Sequence, residues 1–218
     1  MNILVTLTGP TCSGKSHLQQ ILTGPGQRMA PVITATTRPP RRNEVPGVHY
    51  HFYSKSEFED RIAAGEMLEW AHFSTAMYGT PIDSLQRAFA QGNGRAVQVL
   101  EPQGLKSLHA VVAQRGNEPG FKLVPIFMDC PLGIVAHRFM RRYRADLGKA
   151  LANSPAEIEA VTRYYESRLV SILTVEVEWR REALAAEGPE SRPYQLVIDE
   201  FGPETEDQVI ARIMKSLC

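Results

Sequence analysis

The chain has 218 residues, of which 43% are hydrophobic and 22% charged; this excludes a fibrous or disordered polypeptide and allows one sizeable core with an inserted subregion. Lys+Arg and Asp+Glu balance at 24 each, so no global field draws the chain to nucleic acid or an anionic membrane, and any recognition of phosphate has to be local. The three cysteines, Cys12, Cys130 and Cys218, lie far apart without metal-ligand spacing, and their odd number argues against a disulfide framework, which points to a reducing compartment.

The N-terminal stretch lacks a basic n-region, and its apolar run is too short for a signal peptide or a membrane span, so a cytoplasmic chain that binds neither membrane nor nucleic acid is expected. Asn2–Thr8 is apolar or β-branched at nearly every position and predicts a strand buried on both faces of a parallel sheet. Gly9-Pro10 ends it, and Lys15–Leu22 follows with helical periodicity until Gly24-Pro25-Gly26. Further strands are expected at 31–36, 96–100, 122–128 and 195–198, with helices between them; this alternation predicts an α/β sheet with crossover helices. Residues 37–80 break the pattern. They are rich in Pro, Arg and aromatics, with a short strand expected at 48–52 and a helix at 56–64, and they read as an insertion carrying a second site. Residues 131–153 form a helical segment crowded with His137, Arg138, Arg141, Arg142 and Arg144. Helix resumes over 157–181, and 185–193 reads as a polar loop.

Gly9-Pro-Thr-Cys-Ser-Gly14-Lys15-Ser16 fits the phosphate-loop pattern G-x-x-x-x-G-K-[ST], between the strand and the helix that the mechanism requires. Glycines turn successive backbone N–H groups toward one anion, and the helix N-terminus adds the positive end of its dipole. Pro10, Thr11, Cys12, Ser13, Gly14, Lys15 and Ser16 are therefore expected to bind ATP. Lys15 would reach the β- and γ-phosphates, and the Ser16 hydroxyl would hold Mg²⁺. Cys12 reads as a passive small residue or as a thiol made acidic by the helix end.

A phosphate loop identifies a donor nucleotide, not a reaction. Arg38 and Arg41, three residues apart, can present two guanidinium forks to one acceptor phosphate, and Tyr50 and Tyr78 add hydroxyl donors. Glu69 is sharper: a carboxylate can accept from guanine N1–H and the 2-amino group side by side, a pair that adenine does not offer. Taken singly, the arginines read as a solvated turn and Glu69 as a surface residue. Their order behind the phosphate loop is what changes the reading.

That order, Thr36-Thr37-Arg38-Pro39-Pro40-Arg41, Glu44, Gly47, Tyr50, Phe52, Glu69-Trp70-Ala71 and Tyr78-Gly79-Thr80, resembles the acceptor region of the guanylate kinases. The resemblance implies a P-loop nucleoside monophosphate kinase fold: an α/β parallel-sheet core flanked by helices, with an inserted acceptor-binding region and a helical lid. It implies one domain over 1–218, with core at about 1–33, 81–130 and 165–218, acceptor region at about 34–80 and lid at about 131–164. It places Thr34, Arg38, Arg41, Tyr50, Glu69, Tyr78, Gly79, Thr80 and Glu101 at the guanine nucleotide. It gives Lys15, Arg38, Arg41, Arg138, Arg142 and Arg163 to the transfer step, with Arg168 an equally admissible match for Arg163. The implied substrates are ATP with Mg²⁺ and GMP or dGMP, and the implied assembly is a monomer or homodimer. The chain departs from the family pattern D-x-D-x-Q-G, having Val99-Leu100-Glu101-Pro102-Gln103-Gly104. A kinase of another or modified nucleotide, and a non-catalytic module of the same fold, are the alternative readings.

Overall fold

The computed structural model describes residues 1–26, 29–40, 44–73, 75–114, 120–185, 194–199 and 204–217. They divide into two compact units, one of residues 1–8, 15–126 and 205–218, the other of residues 9–14 and 127–204. In the first unit the chain runs through β1 (Asn2–Thr8), α1 (Lys15–Leu22), β2 (Ala30–Pro31), β3 (Ala35–Thr36), β4 (His51–Phe52), α2 (Lys55–Ala63), β5 (Met67–Phe73), β6 (Ala76–Pro81), α3 (Ile82–Gln91), β7 (Arg95–Val99) and α4 (Pro102–Gln114), and enters β8 (Phe121–Asp129). The second unit holds the end of β8, α5 (Leu132–Leu151), α6 (Pro155–Ser171), a π-helical turn (Ile172–Glu176), α7 (Val177–Ala185) and β9 (Leu196–Asp199). The chain returns to the first unit as α8 (Glu206–Ser216).

β1 is the spine of the main sheet. Its register with β7 is parallel from Ile3↔Arg95 to Leu7↔Val99, β2 joins the far edge of β7, and the strand order is β2-β7-β1-β8-β9. Leu4, Val5, Leu7, Val97 and Ile126 have no exposed surface, as strands covered on both faces require, and Leu105 and Leu108 of α4, no more than 2% exposed, are buried with them. Each such side chain contributes about 1.5–3 kcal/mol through removal from water.

The stretch 31–36 is not one strand. β2 belongs to the main sheet, whereas β3 pairs with β4 and β6 in a second sheet ordered β4-β3-β6-β5. Pro31 cannot donate to a ladder, and the chain crosses between the sheets just after it. The short strand within 48–52 is β4, and the helix expected at 56–64 is α2, begun by a capping box in which Ser54 and Glu57 exchange hydrogen bonds. Phe58 of α2 packs on Ala35 and Met77 of the small sheet. The hairpin β5–β6, unmarked in the sequence reading, makes up half of that sheet.

In the second unit, α5 is the basic helical segment expected over 131–153, and α6 begins the helix expected over 157–181. Phe139, Tyr143 and Tyr165 pack ring on ring, and the Tyr165 hydroxyl donates to Asp146 at 2.6 Å. Ser154 caps α6 by accepting from Glu157 N–H. Arg180 of α7 forks onto Asp129 at the end of β8, at 2.6 and 3.0 Å. Residues 34–80, expected to form the acceptor region, fall inside the first unit, and residues 131–164, expected to form the lid, inside the second. Among the described residues no helix is long and apolar enough to cross a membrane.

Candidate active site

The phosphate loop is shaped by backbone conformations that few residues tolerate. Gly9 has φ +146°, and a Cβ there would lie 2.4 Å from the Met128 carbonyl oxygen, so only glycine fits. Cys12, with φ 63°, is in the left-handed region, followed by Gly14 at φ 87°. α1 starts at Lys15, which leaves its first N–H groups and its dipole for an anion. The Cys12 carbonyl accepts from Arg138 Nη1 at 3.0 Å. Cys12 also packs on the cluster of Cys130, Val135, Phe139, Tyr165 and Ile172.

Glu176 is the residue that sequence reasoning missed here. It is 1% exposed. Its Oε2 accepts from Thr11 N–H at 2.5 Å and its Oε1 from the Thr11 hydroxyl at 2.9 Å and from Arg168 Nη2 at 2.7 Å. Arg168 also donates to the Thr11 hydroxyl, closing a ring of three groups. Eight residues separate Arg168 from Glu176, which in an unbroken α-helix puts them about 80° apart. The π-helical turn Ile172–Glu176 takes up one extra residue and brings both onto one face.

The arginines expected to serve the transfer step therefore divide. Arg138 and Arg168 reach the loop, and Arg142 is exposed one turn beyond Arg138. Arg163 is exposed and paired with Glu159 on its own helix, so of the two matches left open, Arg168 is the one beside the loop. A cavity of about 490 Å³ bounded by Pro10, Leu132, Val135, Val177 and Leu184 opens next to Glu176. Its walls are mainly apolar, and Arg180 at its rim is engaged by Asp129.

Most of the residues expected at the acceptor lie together in the first unit. Thr34, Tyr50, Glu69, Tyr78, Gly79, Val99 and Glu101 line one pocket. Arg38 is held by Glu44 in a two-pronged ion pair, 2.6 and 2.7 Å, with its guanidinium 5.0 Å from the Tyr50 ring centre and 5.6 Å from that of Phe52. Burial opposes that charge, but the Glu44 hydrogen bonds and the neighbouring Tyr78, Glu44 and Tyr50 outweigh it and hold the guanidinium above its ordinary value. Arg41 lies outside the described residues.

Glu69 sits on β5 beyond a bulge between Met67 and Glu69. The bulge explains how Leu68 and Glu69, consecutive in a strand, are both buried. The Thr80 hydroxyl donates to Glu69 Oε1 at 2.6 Å. Oε2 has no partner among the described residues. Burial pushes the carboxyl up to about 7, with the Thr80 hydrogen bond working the other way.

Gly79 faces Trp70 across the hairpin, and a Cβ there would lie 2.7 Å from the Glu69 carbonyl oxygen. Gly79→Ala is expected to spread β5 from β6 and destabilise the protein by about 1–3 kcal/mol. A thermal melt checks this, and an unchanged midpoint counts against the close approach.

A family model described as Guanylate kinase matches residues 1–176. A guanylate kinase of Idiomarina loihiensis is 44% identical over 164 residues, 74% of this chain and 74% of the relative. One of Thermosynechococcus vestitus is 35% identical over 165 residues, 74% of this chain and 82% of the relative. A crystal structure of guanylate kinase from Anaplasma phagocytophilum superposes with a TM-score of 0.58 at 18% identity, covering 99% of this chain and 85% of that one; at that identity it speaks for the fold alone.

Proposed function

Since the chain belongs to the guanylate kinase family, we propose that it transfers the γ-phosphate of ATP to GMP or dGMP, with the groups described above in defined roles. The observation that most supports guanine is Glu69: a buried carboxylate with one oxygen tied to Thr80 and the other without a partner among the described residues, in a pocket with Thr34 and Tyr78. That arrangement suits a ligand presenting two adjacent N–H donors. A ligand presenting only acceptors leaves a buried oxygen unsatisfied, at about 1–3 kcal/mol.

The mechanism is in-line attack by an acceptor phosphate oxygen on the γ-phosphorus, without a covalent enzyme intermediate. Such a nucleophile is already anionic and needs no dedicated base, so the protein positions the groups and offsets charge. The N–H groups at the start of α1 and Lys15 hold the donor phosphates, and Arg138, Arg142 and Arg168 are the cations for the moving group. Arg163 keeps a role only if it leaves Glu159. Arg38 and Arg41 bind the acceptor phosphate, with Tyr50 contributing its hydroxyl. Glu44 fixes the plane of the Arg38 fork.

Mg²⁺ fits the donor set. Ser16 offers an exposed hydroxyl oxygen in the first turn of α1, a hard ligand of the kind the ion takes. Among the described residues no group of three or more His, Cys, Asp or Glu could hold the ion by itself, so it would be carried by the nucleotide. When bound it would supply charge neutralisation at the phosphates.

Val99 and Glu101 replace the two aspartates of the family pattern, so the choice of acceptor is the point to test. ADP release measured with GMP, dGMP, AMP, CMP, UMP and dTMP is expected to show kcat/KM for GMP or dGMP at least about a hundredfold above the others. Equal or higher efficiency with AMP would overturn the reading. The same assay tests the non-catalytic alternative, which releases no ADP.

A further inference from the structure

Gln98 lies in the middle of β7 with no exposed surface. A buried amide costs free energy unless its groups are paired. Its Oε1 lies 3.3 Å from Thr80 Oγ1, and its Nε2 has no partner among the described residues. The same Thr80 hydroxyl donates to Glu69 Oε1 at 2.6 Å.

A hydroxyl has one proton. The shorter contact to an ionised Glu69 takes it, which leaves the Gln98 carbonyl facing an oxygen lone pair and its N–H groups with nothing. A half-turn of the amide removes the first conflict: Nε2–H then donates to Thr80 Oγ1, which keeps its own proton and donates it to Glu69 Oε1. The three groups become a directed chain, amide to hydroxyl to carboxylate, in which each bond strengthens the next. One lone pair of Glu69 Oε1 and both of Oε2 are left for a ligand. With Glu69 protonated, the amide as it stands serves equally, since the carboxyl donates to Thr80 and Thr80 to the Gln98 carbonyl. An aliphatic residue at 98 can do neither.

We infer that Gln98 is a positioning residue for base selection, orienting the Glu69 carboxylate through Thr80 so that its two oxygens meet two adjacent N–H donors of the acceptor base. The inference rests on Glu69 being the group that reads the base. Gln98 does not touch the ligand; it fixes where the Thr80 proton points, and so which Glu69 oxygen remains open.

The test uses the full chain and compares GMP with inosine 5′-monophosphate, which keeps N1–H and lacks the 2-amino group. In Gln98→Leu the KM for GMP is expected to rise about fivefold, the yield of one neutral hydrogen bond. The preference for GMP over the inosine nucleotide falls by a similar factor, while kcat and the KM for ATP stay within about twofold. A merely structural role does not move that preference. Gln98→Met, unbranched and close in length, repeats the measurement if the leucine variant does not fold. In a Thr80→Val background Gln98→Leu should add no further loss of preference, because the chain is already cut. Folded variants with unchanged KM and preference for GMP, or losses that simply add in the double variant, overturn the inference and leave the proposed function standing. A wild-type chain that phosphorylates neither guanine nor inosine nucleotide overturns both.

Discussion

Glu176→Ala is expected to destabilise the protein by about 3–5 kcal/mol and to lower kcat by about a hundredfold. The carboxylate is buried and holds three donors, the Thr11 N–H, the Thr11 hydroxyl and Arg168. Removing it takes the carboxylate that Arg168, 13% exposed at its side chain, donates to, and the acceptor of a backbone N–H in the phosphate loop. Breaking a buried pair from one side is costly because the remaining charge is uncompensated. The catalytic loss has a separate cause. Thr11 lies within the phosphate loop, and a displacement of about 1 Å there costs on the order of a hundredfold in rate. A melting midpoint about 10 °C below wild type, together with the drop in kcat, is the expected result. Glu176→Gln keeps the shape and one acceptor oxygen, and should lose less of both. An alanine variant that melts and turns over like wild type removes Glu176 from the loop's support.

Glu176 also marks where the local signals of the sequence end. β1, the loop at Gly9–Gly14 and α1 were legible because each has its own local signal: β-branched residues, glycines at fixed spacing, helical periodicity. Thr34, Tyr50, Glu69, Tyr78, Gly79 and Glu101, legible in the sequence as a set, line one pocket. What was not legible depends on register. Residues 31–36 look like one strand because both halves are apolar, and only the choice of partner, β7 or β6, divides them. Glu69 is turned inward by a bulge that its neighbours do not announce. The choice between Arg163 and Arg168 required knowing that one π turn lies beyond Arg168, since that extra residue decides which arginine shares a face with Glu176. Gln98 showed no signal at all, being one polar residue in an apolar strand, and its meaning comes from Thr80, which approaches from another sheet.

The remaining large effect belongs to Glu69. Glu69→Ala is expected to lower kcat/KM for GMP about a thousandfold, with the KM for ATP unchanged, because two hydrogen bonds to a charged acceptor are lost at about 1.5–3 kcal/mol each. The same carboxyl makes acceptor binding depend on pH in a set direction. Burial holds Glu69 at about 7 in the free protein, well above the ordinary carboxylate range. Guanine needs the ionised form, so the KM for GMP should rise about tenfold for each pH unit below 7, and binding near pH 6 should release close to one proton. Stability runs the other way. The folded state holds this proton more tightly than the unfolded chain does, so the contribution is full below pH 4.5 and is lost as pH rises to about 7, amounting to roughly 3 kcal/mol. Guanine compensates by supplying the two donors that the ionised carboxylate lacks. Calorimetric titration of GMP at pH 6, in buffers of different ionisation enthalpy, compares wild type with Glu69→Gln, which keeps the proton exchange of the GMP phosphate, whose second pKa is about 6, and removes that of the carboxyl. The same buffer dependence in both proteins means that Glu69 is already ionised there, and that burial does not hold its proton as these contacts require.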